Sequence, residues 1–255
     1  VLEKHGVLIE KRKQFRNFKI KEDFFEKIDT EEKAYVLGFL WADGNISKDL
    51  KYIRFLNQAK DVQILKDISS LIFEEKKEVI VDVKYNRAYM NICSKKMVKD
   101  LLKLGCSPKK SLIIKFPSSE HVPDFLISHF IRGYFDGDGC VYLKKSSINV
   151  SFAISKPFFE GFSKFLSKLG CSFYTEDIGS IFVVKIIGNF SGLKLLNFIY
   201  KDYKIIFLKR KVDKLIESLR QICLTNKRIY NRTKPILRES LTLFELSEKP
   251  VFFHL

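Results

Sequence analysis

Two stretches of this chain are nearly the same. Residues 35–44 read YVLGFLWADG and residues 130–139 read FIRGYFDGDG. Each is an apolar, helix-like run ending in Asp-Gly, with small residues four apart: Gly38 and Ala42 in the first, Gly133 and Gly137 in the second. Residues at this spacing share one helix face. Small ones let two helices come closer than the usual separation of about 8–10 Å. Glycine inside a helix costs ~1 kcal/mol relative to alanine, so Gly133 and Gly137 need a packing reason. The repeat predicts two similar halves joined along these faces, with Gly38, Ala42, Gly133 and Gly137 at the interface.

The closing acids, Asp43 and Asp138, lie 95 residues apart (138 − 43). Both stand at helix C-termini, where the helix dipole is already negative and repels a carboxylate. Bringing them to one crossing adds like-charge repulsion. A fold selected for stability alone avoids this, whereas a divalent cation reverses each of these terms. The candidate metal ligands are therefore the Asp43 and Asp138 carboxylates and the end carbonyls of Ala42 and Gly137. An all-oxygen set with room for water and phosphate suits Mg²⁺.

The remaining pattern fills in around the repeat. Asp29 and Glu32 form a capping-box pair for a helix starting near Thr30 and ending at Asp43, where Gly44 suits a left-handed exit. A hairpin over 45–58, a helix over 61–73, a hairpin over 79–93 and a helix over 95–104 follow. The second half repeats the order with a helix over 124–138, a hairpin over 140–154, a helix over 157–169, a hairpin over 173–187 and a helix over 190–200. Each half reads αββαββα. The domain boundaries expected are a basic arm at 1–28, a first half at 29–106, a proline-bearing linker at 107–123, a second half at 124–220 and a basic tail at 221–255.

A formal net charge of +16, from 46 basic and 30 acidic residues, calls for an anionic partner, and nucleic acid is the first candidate. Strand alternation supplies a surface for it. Ala88, Met90 and Ile92 are apolar while Tyr89 and Asn91 face the other way; Val150, Phe152 and Ile154 are apolar while Asn149 and Ser151 face opposite. Outward polar residues on β-ribbons can reach base edges in the major groove. The candidates are Asn45, Lys48, Arg54, Lys84, Asn86, Arg87, Tyr89 and Asn91 in the first half. In the second they are Tyr142, Lys144, Asn149, Ser151, Tyr174 and Lys185. Five cysteines without a CxxC pair predict reduced thiols in an intracellular protein, in cytoplasm, nucleoid or organelle matrix. No apolar run approaches the ~18 residues of a membrane span, so no membrane partner is expected.

The paired motifs resemble the signature helices of LAGLIDADG homing endonucleases, in the single-chain form that carries two copies. Residues 36–44 (VLGFLWADG) and 131–139 (IRGYFDGDG) match the nine-letter pattern at its Gly, last Asp and last Gly. The second copy keeps the earlier acid as Asp136, where the first has Trp41. The resemblance implies an α+β fold of two pseudo-symmetric halves, with saddle-shaped antiparallel sheets and the motif helices packed at the centre. It implies a monomer that hydrolyses phosphodiester bonds of a long, asymmetric double-stranded DNA target with Mg²⁺, Mn²⁺ or Ca²⁺ standing in for it in binding. One Asp would serve each strand. It also implies a polar and basic pocket near the phosphates. By position, Gln58 corresponds to Lys156 and Lys95 to Asn189, and these four join Asp43 and Asp138 as candidate catalytic residues. The alternatives on the same fold are a maturase that binds intron RNA and a DNA-binding regulator without cleavage.

Overall fold

The computed structural model describes residues 2–4, 7–9, 18–75, 77–144, 147–201, 203, 206–225, 235–240 and 242–244. Residues 10–17 of the basic arm predicted over 1–28 lie outside them, as does much of the tail beyond 225. A short hairpin, β1 (Leu2–Lys4) with β2 (Val7–Ile9), precedes the two halves. The end of the arm lies on the first half: Phe24, Phe25 and Ile28 are buried, and the Lys21 N–H donates to Ile72 O at 2.9 Å.

The first half runs α1 (Glu31–Asp43), β3 (Gly44–Ile46), β4 (Ile53–Gln58), α2 (Val62–Ile72), β5 (Ile80–Asp82), β6 (Arg87–Ile92) and α3 (Lys95–Lys103). The second runs α4 (Ile127–Asp138), β7 (Gly139–Lys144), β8 (Ser147–Ser155), α5 (Lys156–Lys168), β9 (Phe173–Ile178), β10 (Ile181–Ile187) and α6 (Asn189–Tyr200). A final helix, α7 (Lys209–Thr225), follows. Both halves are αββαββα. Their antiparallel sheets have matching orders, β3-β4-β6-β5 and β7-β8-β10-β9.

Helix α1 is buried all round from Ala34 to Trp41, and α4 from His129 to Asp136, as befits helices at the centre of a molecule. The outer helices are one-sided. In α2 the buried residues include Ile64, Leu65, Ile68 and Ile72; in α5 they are Phe158, Phe162 and Leu166. The strands alternate as expected, with Ala88, Met90, Ile92, Val150, Phe152 and Ile154 all buried.

Two details differ from the sequence reading. Thr30, not Asp29, caps α1 by accepting the Lys33 N–H at 3.3 Å, while Asp29 pairs with Lys33 Nζ at 2.8 Å. Gly44 leaves the helix in extended backbone (φ −88°), not left-handed. Its glycine is required by space. A Cβ there would lie 2.2 Å from the Leu40 side chain, and one at Gly139 would lie 2.0 Å from the Phe135 ring. The chain folds straight from each motif helix into a strand beneath it.

Candidate metal and phosphate site at the helix seam

Helices α1 and α4 touch backbone to backbone. A Cβ on Gly38 would sit 1.9 Å from Phe130 O, and one on Gly133 would sit 2.0 Å from Tyr35 O. The relation is reciprocal, since Phe130 precedes Gly133 by three residues and Tyr35 precedes Gly38 by three. At the C-terminal end of the seam a Cβ on Gly137 would be 2.3 Å from Ala42 Cβ and 3.4 Å from Asp43 Oδ2. The four interface residues read from the sequence are thus at the interface, and Asp43 lies against the end of α4.

Asp43 is half-buried and Asp138 is exposed at the end of the seam, and the packed helix ends beside them shape their chemistry. Burial, and then the Asp138 charge, pushes the Asp43 carboxyl up to about 6; Lys211 and Lys110 pull the other way. Burial also raises Asp138, against the same two lysines. Each lysine belongs to one helix end. Lys110 is buried in a 3-10 turn (Lys110–Leu112) between the halves, and its Nζ donates to Trp41 O at 2.6 Å and Ala42 O at 3.0 Å. Lys211, equally buried in the first turn of α7, donates to Phe135 O, to Gly137 O at 3.3 Å and to Gly139 O at 2.6 Å. Burial, followed by the nearby Arg210 charge against the opposing pull of the acids, brings Lys211 down to about 8. An ammonium group therefore answers the negative end of each motif helix.

The residue two before each acid fixes the segment that delivers its lysine. Trp41 Nε1 donates to Lys115 O at 3.3 Å, five residues beyond Lys110. Asp136 accepts the Leu208 N–H at 2.8 Å, three residues before Lys211, and also the hydroxyls of Tyr35 (2.7 Å) and Tyr200 (2.8 Å). Among the described residues no buried side-chain nitrogen or oxygen lacks a partner.

Lys110 and Lys211 are absent from the residues singled out by sequence. One sits in the expected linker and the other in a basic helix with no assigned role. The available signal was slight: a KK pair 67 residues after Asp43 (110 − 43) and a KRK string whose last member is 73 residues after Asp138 (211 − 138).

The other candidates are placed as follows. Gln58 ends β4 with its side chain exposed. Lys95 opens α3, also exposed. Lys156 opens α5 and pairs with Asp177 at 2.8 Å. Asn189 opens α6, is buried, and accepts the Ile148 N–H through Oδ1 at 2.6 Å. The positive charges acting most strongly on the two acids are Lys110 and Lys211.

The outward candidates fall into cross-strand rows. Asn45, Arg54 and Asn91 align across β3, β4 and β6, with Arg54 Nε donating to Asn91 Oδ1 at 2.8 Å. Arg54 also lies over the rings of Tyr52 and Tyr89. In the second sheet Ser151, Lys185 and Tyr174 align, and Tyr142 pairs with Asn149. Lys48, Lys84, Asn86, Arg87 and Lys144 are exposed at strand ends and turns. Asn149 departs from the set: it is 8% exposed and donates to Ser147 O at 2.9 Å.

Asp43, Asp138 and the carbonyls of Ala42 and Gly137 form an oxygen-only donor set, and no group of three or more His, Cys, Asp or Glu suited to a metal exists among the described residues. Two carboxylates with end carbonyls fit a hard cation that takes its other ligands from water and phosphate. Among the described residues no helix is long and apolar enough to cross a membrane.

Comparison with known proteins agrees with this fold. Residues 126–179 match the family model of a LAGLIDADG-like domain. The fold is that of the meganuclease I-SmaMI bound to uncleaveable DNA with a TTCT central four (TM-score 0.53, 14% identity, 84% of this chain and 98% of that one). It is also that of the I-LtrWI LAGLIDADG homing endonuclease bound to target DNA (TM-score 0.50, 11% identity, 82% of this chain and 97% of that one). Among curated proteins the chain is 29% identical over 202 residues to the "Probable translation initiation factor IF-2" of Methanocaldococcus jannaschii. The match takes in 73% of this chain and 16% of that much longer protein.

Proposed function

We propose that this chain, which carries a LAGLIDADG-like domain at residues 126–179 within the fold of two-domain LAGLIDADG meganucleases, is a site-specific endonuclease. It acts as a monomer and cuts both strands of a long, asymmetric DNA duplex with a divalent metal. The observation that carries the reading is the seam itself: two aspartates at adjoining helix ends, the Asp138 charge raising Asp43, and each helix end held by its own buried lysine. Packing gives no reason for that arrangement, and a metal with a phosphate does.

The Asp43 and Asp138 carboxylates, with the Ala42 and Gly137 carbonyls, are the groups that would hold the cation, which when bound polarises a phosphoryl oxygen and acidifies water. The protein's own part is positioning and charge. Each aspartate serves one strand. Lys110 and Lys211 offset the negative helix ends, so that an anionic phosphodiester can approach two carboxylates. Gln58, Lys95 and Lys156, exposed at strand–helix junctions, would contact flanking phosphates; Asn189 instead accepts the Ile148 N–H of β8. The outward rows around Arg54 and Lys185 face the bases. Their sequences differ, so the two half-sites differ.

The test is selection of cleaved sites from a random duplex library with Mg²⁺. On a selected site, Asp43→Asn and Asp138→Asn should each lower double-strand cleavage by about 10³-fold or more, the loss of several kcal/mol of transition-state stabilisation, with binding retained. Undiminished cutting by either variant removes the assignment.

A further inference from the structure

Lys211 is placed by more than its own hydrogen bonds. Its neighbour Arg210 turns the other way and reaches the first half. Arg210 Nε donates to both carboxylate oxygens of Asp61 at 3.2 Å, and Nη2 donates to Oδ2 at 3.0 Å. Asp61 closes the 3-10 turn (Ala59–Asp61) that leads into α2, and it is 5% exposed. A buried carboxylate gripped by a guanidinium fork is a geometrically demanding contact, and removing one partner leaves the other costly.

Among the described residues the segment of the other lysine has no such ion pair. Lys110 follows Lys109, an exposed residue in left-handed backbone (φ 60°). Counting from the paired positions Gln58 and Lys156, the equivalent of Asp61 in the second half is Phe159, which cannot carry charge.

We propose that Asp61 is a positioning residue. Through Arg210 it fixes the first turn of α7 and so holds Lys211 on the carbonyl end of α4. The carbonyl end of α4 thereby depends on an ion pair reaching over from the first half, and the carbonyl end of α1, which Lys110 holds, does not. The consequence for function rests on the nuclease reading: breaking the pair slows cutting of one strand. The consequence for structure does not rest on it.

Two measurements on the full chain keep these apart. The first is lysine acylation mapped by peptide mass, with Lys110, buried to the same extent, as the internal reference. Asp61→Asn should raise labelling of Lys211 several-fold and leave Lys110 protected. Equal protection of the two lysines in the variant overturns the proposal whether or not the protein cuts DNA. The second is cleavage of a supercoiled plasmid bearing a selected site. Asp61→Asn should cut one strand at the wild-type rate and the other about 10- to 100-fold more slowly, the scale set by small misplacement of a catalytic group, so that nicked circles accumulate. The reciprocal exchange, Asp61→Arg with Arg210→Asp, should restore linear product, which a simple loss of stability would not allow. Equal slowing of both strands, or of neither, overturns the strand-selective role.

Discussion

In the first half the residue two before the acid is Trp41, which gives one N–H to Lys115 O and meets Phe130 edge-on at 5.9 Å. In the second it is Asp136, completely enclosed, accepting two tyrosine hydroxyls and a backbone N–H. Beside it lies Arg132, also fully buried, whose guanidinium donates to Ile206 O at 3.2 Å and Ile199 O at 3.1 Å. One half thus secures its lysine-bearing segment with an aromatic ring, the other with a charged network. The acids, the seam residues and the lysines correspond between halves; what holds them does not. Groups that face the shared seam are constrained to match, while their supports answer only to local packing.

The largest effects should fall where the halves match. Alanine at Gly38 or Gly133 drives a methyl into a backbone oxygen of the opposite helix, and neither backbone can yield without opening the seam. Both variants should lose about 3 kcal/mol or more in urea unfolding, with similar values for the two sites. A tolerated Gly133→Ala would mean that the seam is looser than its contacts imply.

The supports should separate the halves. Asp136→Ala leaves three donors without an acceptor in a dry interior and should cost about 3–5 kcal/mol. Trp41→Phe gives up one long hydrogen bond and part of a ring, and should cost about 1–2 kcal/mol. Equal losses, read from denaturant midpoints, would erase the contrast between charged and aromatic bracing.

Much of this was legible in the chain. The repeat pointed to the seam residues, because close helix packing leaves almost no choice of residue type, and to the αββαββα order. The inward faces of β6 and β8 followed from period-two alternation. Lys110 and Lys211 were hidden, because their role depends on where segments outside both repeats come to rest, and a lysine in a linker looks like any other. Asn149 misled for a related reason: alternation assigns a face, and whether that face is covered is decided by neighbouring elements. The cap of α1 moved by one residue, within the usual ambiguity of helix ends.

The smallest effect concerns the acids without metal. Asp43 has a folded value of about 6, above its ordinary value of 3.8. The unfolded chain therefore releases this proton first as pH rises, so the group favours folding below the ordinary value, and that advantage is lost as pH climbs through about 6. In metal-free buffer near neutral pH the ionised, half-buried carboxylate is a burden of about 1–3 kcal/mol, screened in part by Lys110 and Lys211. Asp43→Asn should then melt higher than wild type at about pH 7.5, and the gap should narrow by roughly half near pH 5. Added Mg²⁺ should raise the wild-type melting temperature and leave the variant unmoved, since only a ligand bound to the folded form stabilises it. A variant that melted lower than wild type in metal-free buffer would make Asp43 a structural residue, and the likeness between the two halves would then end at the seam.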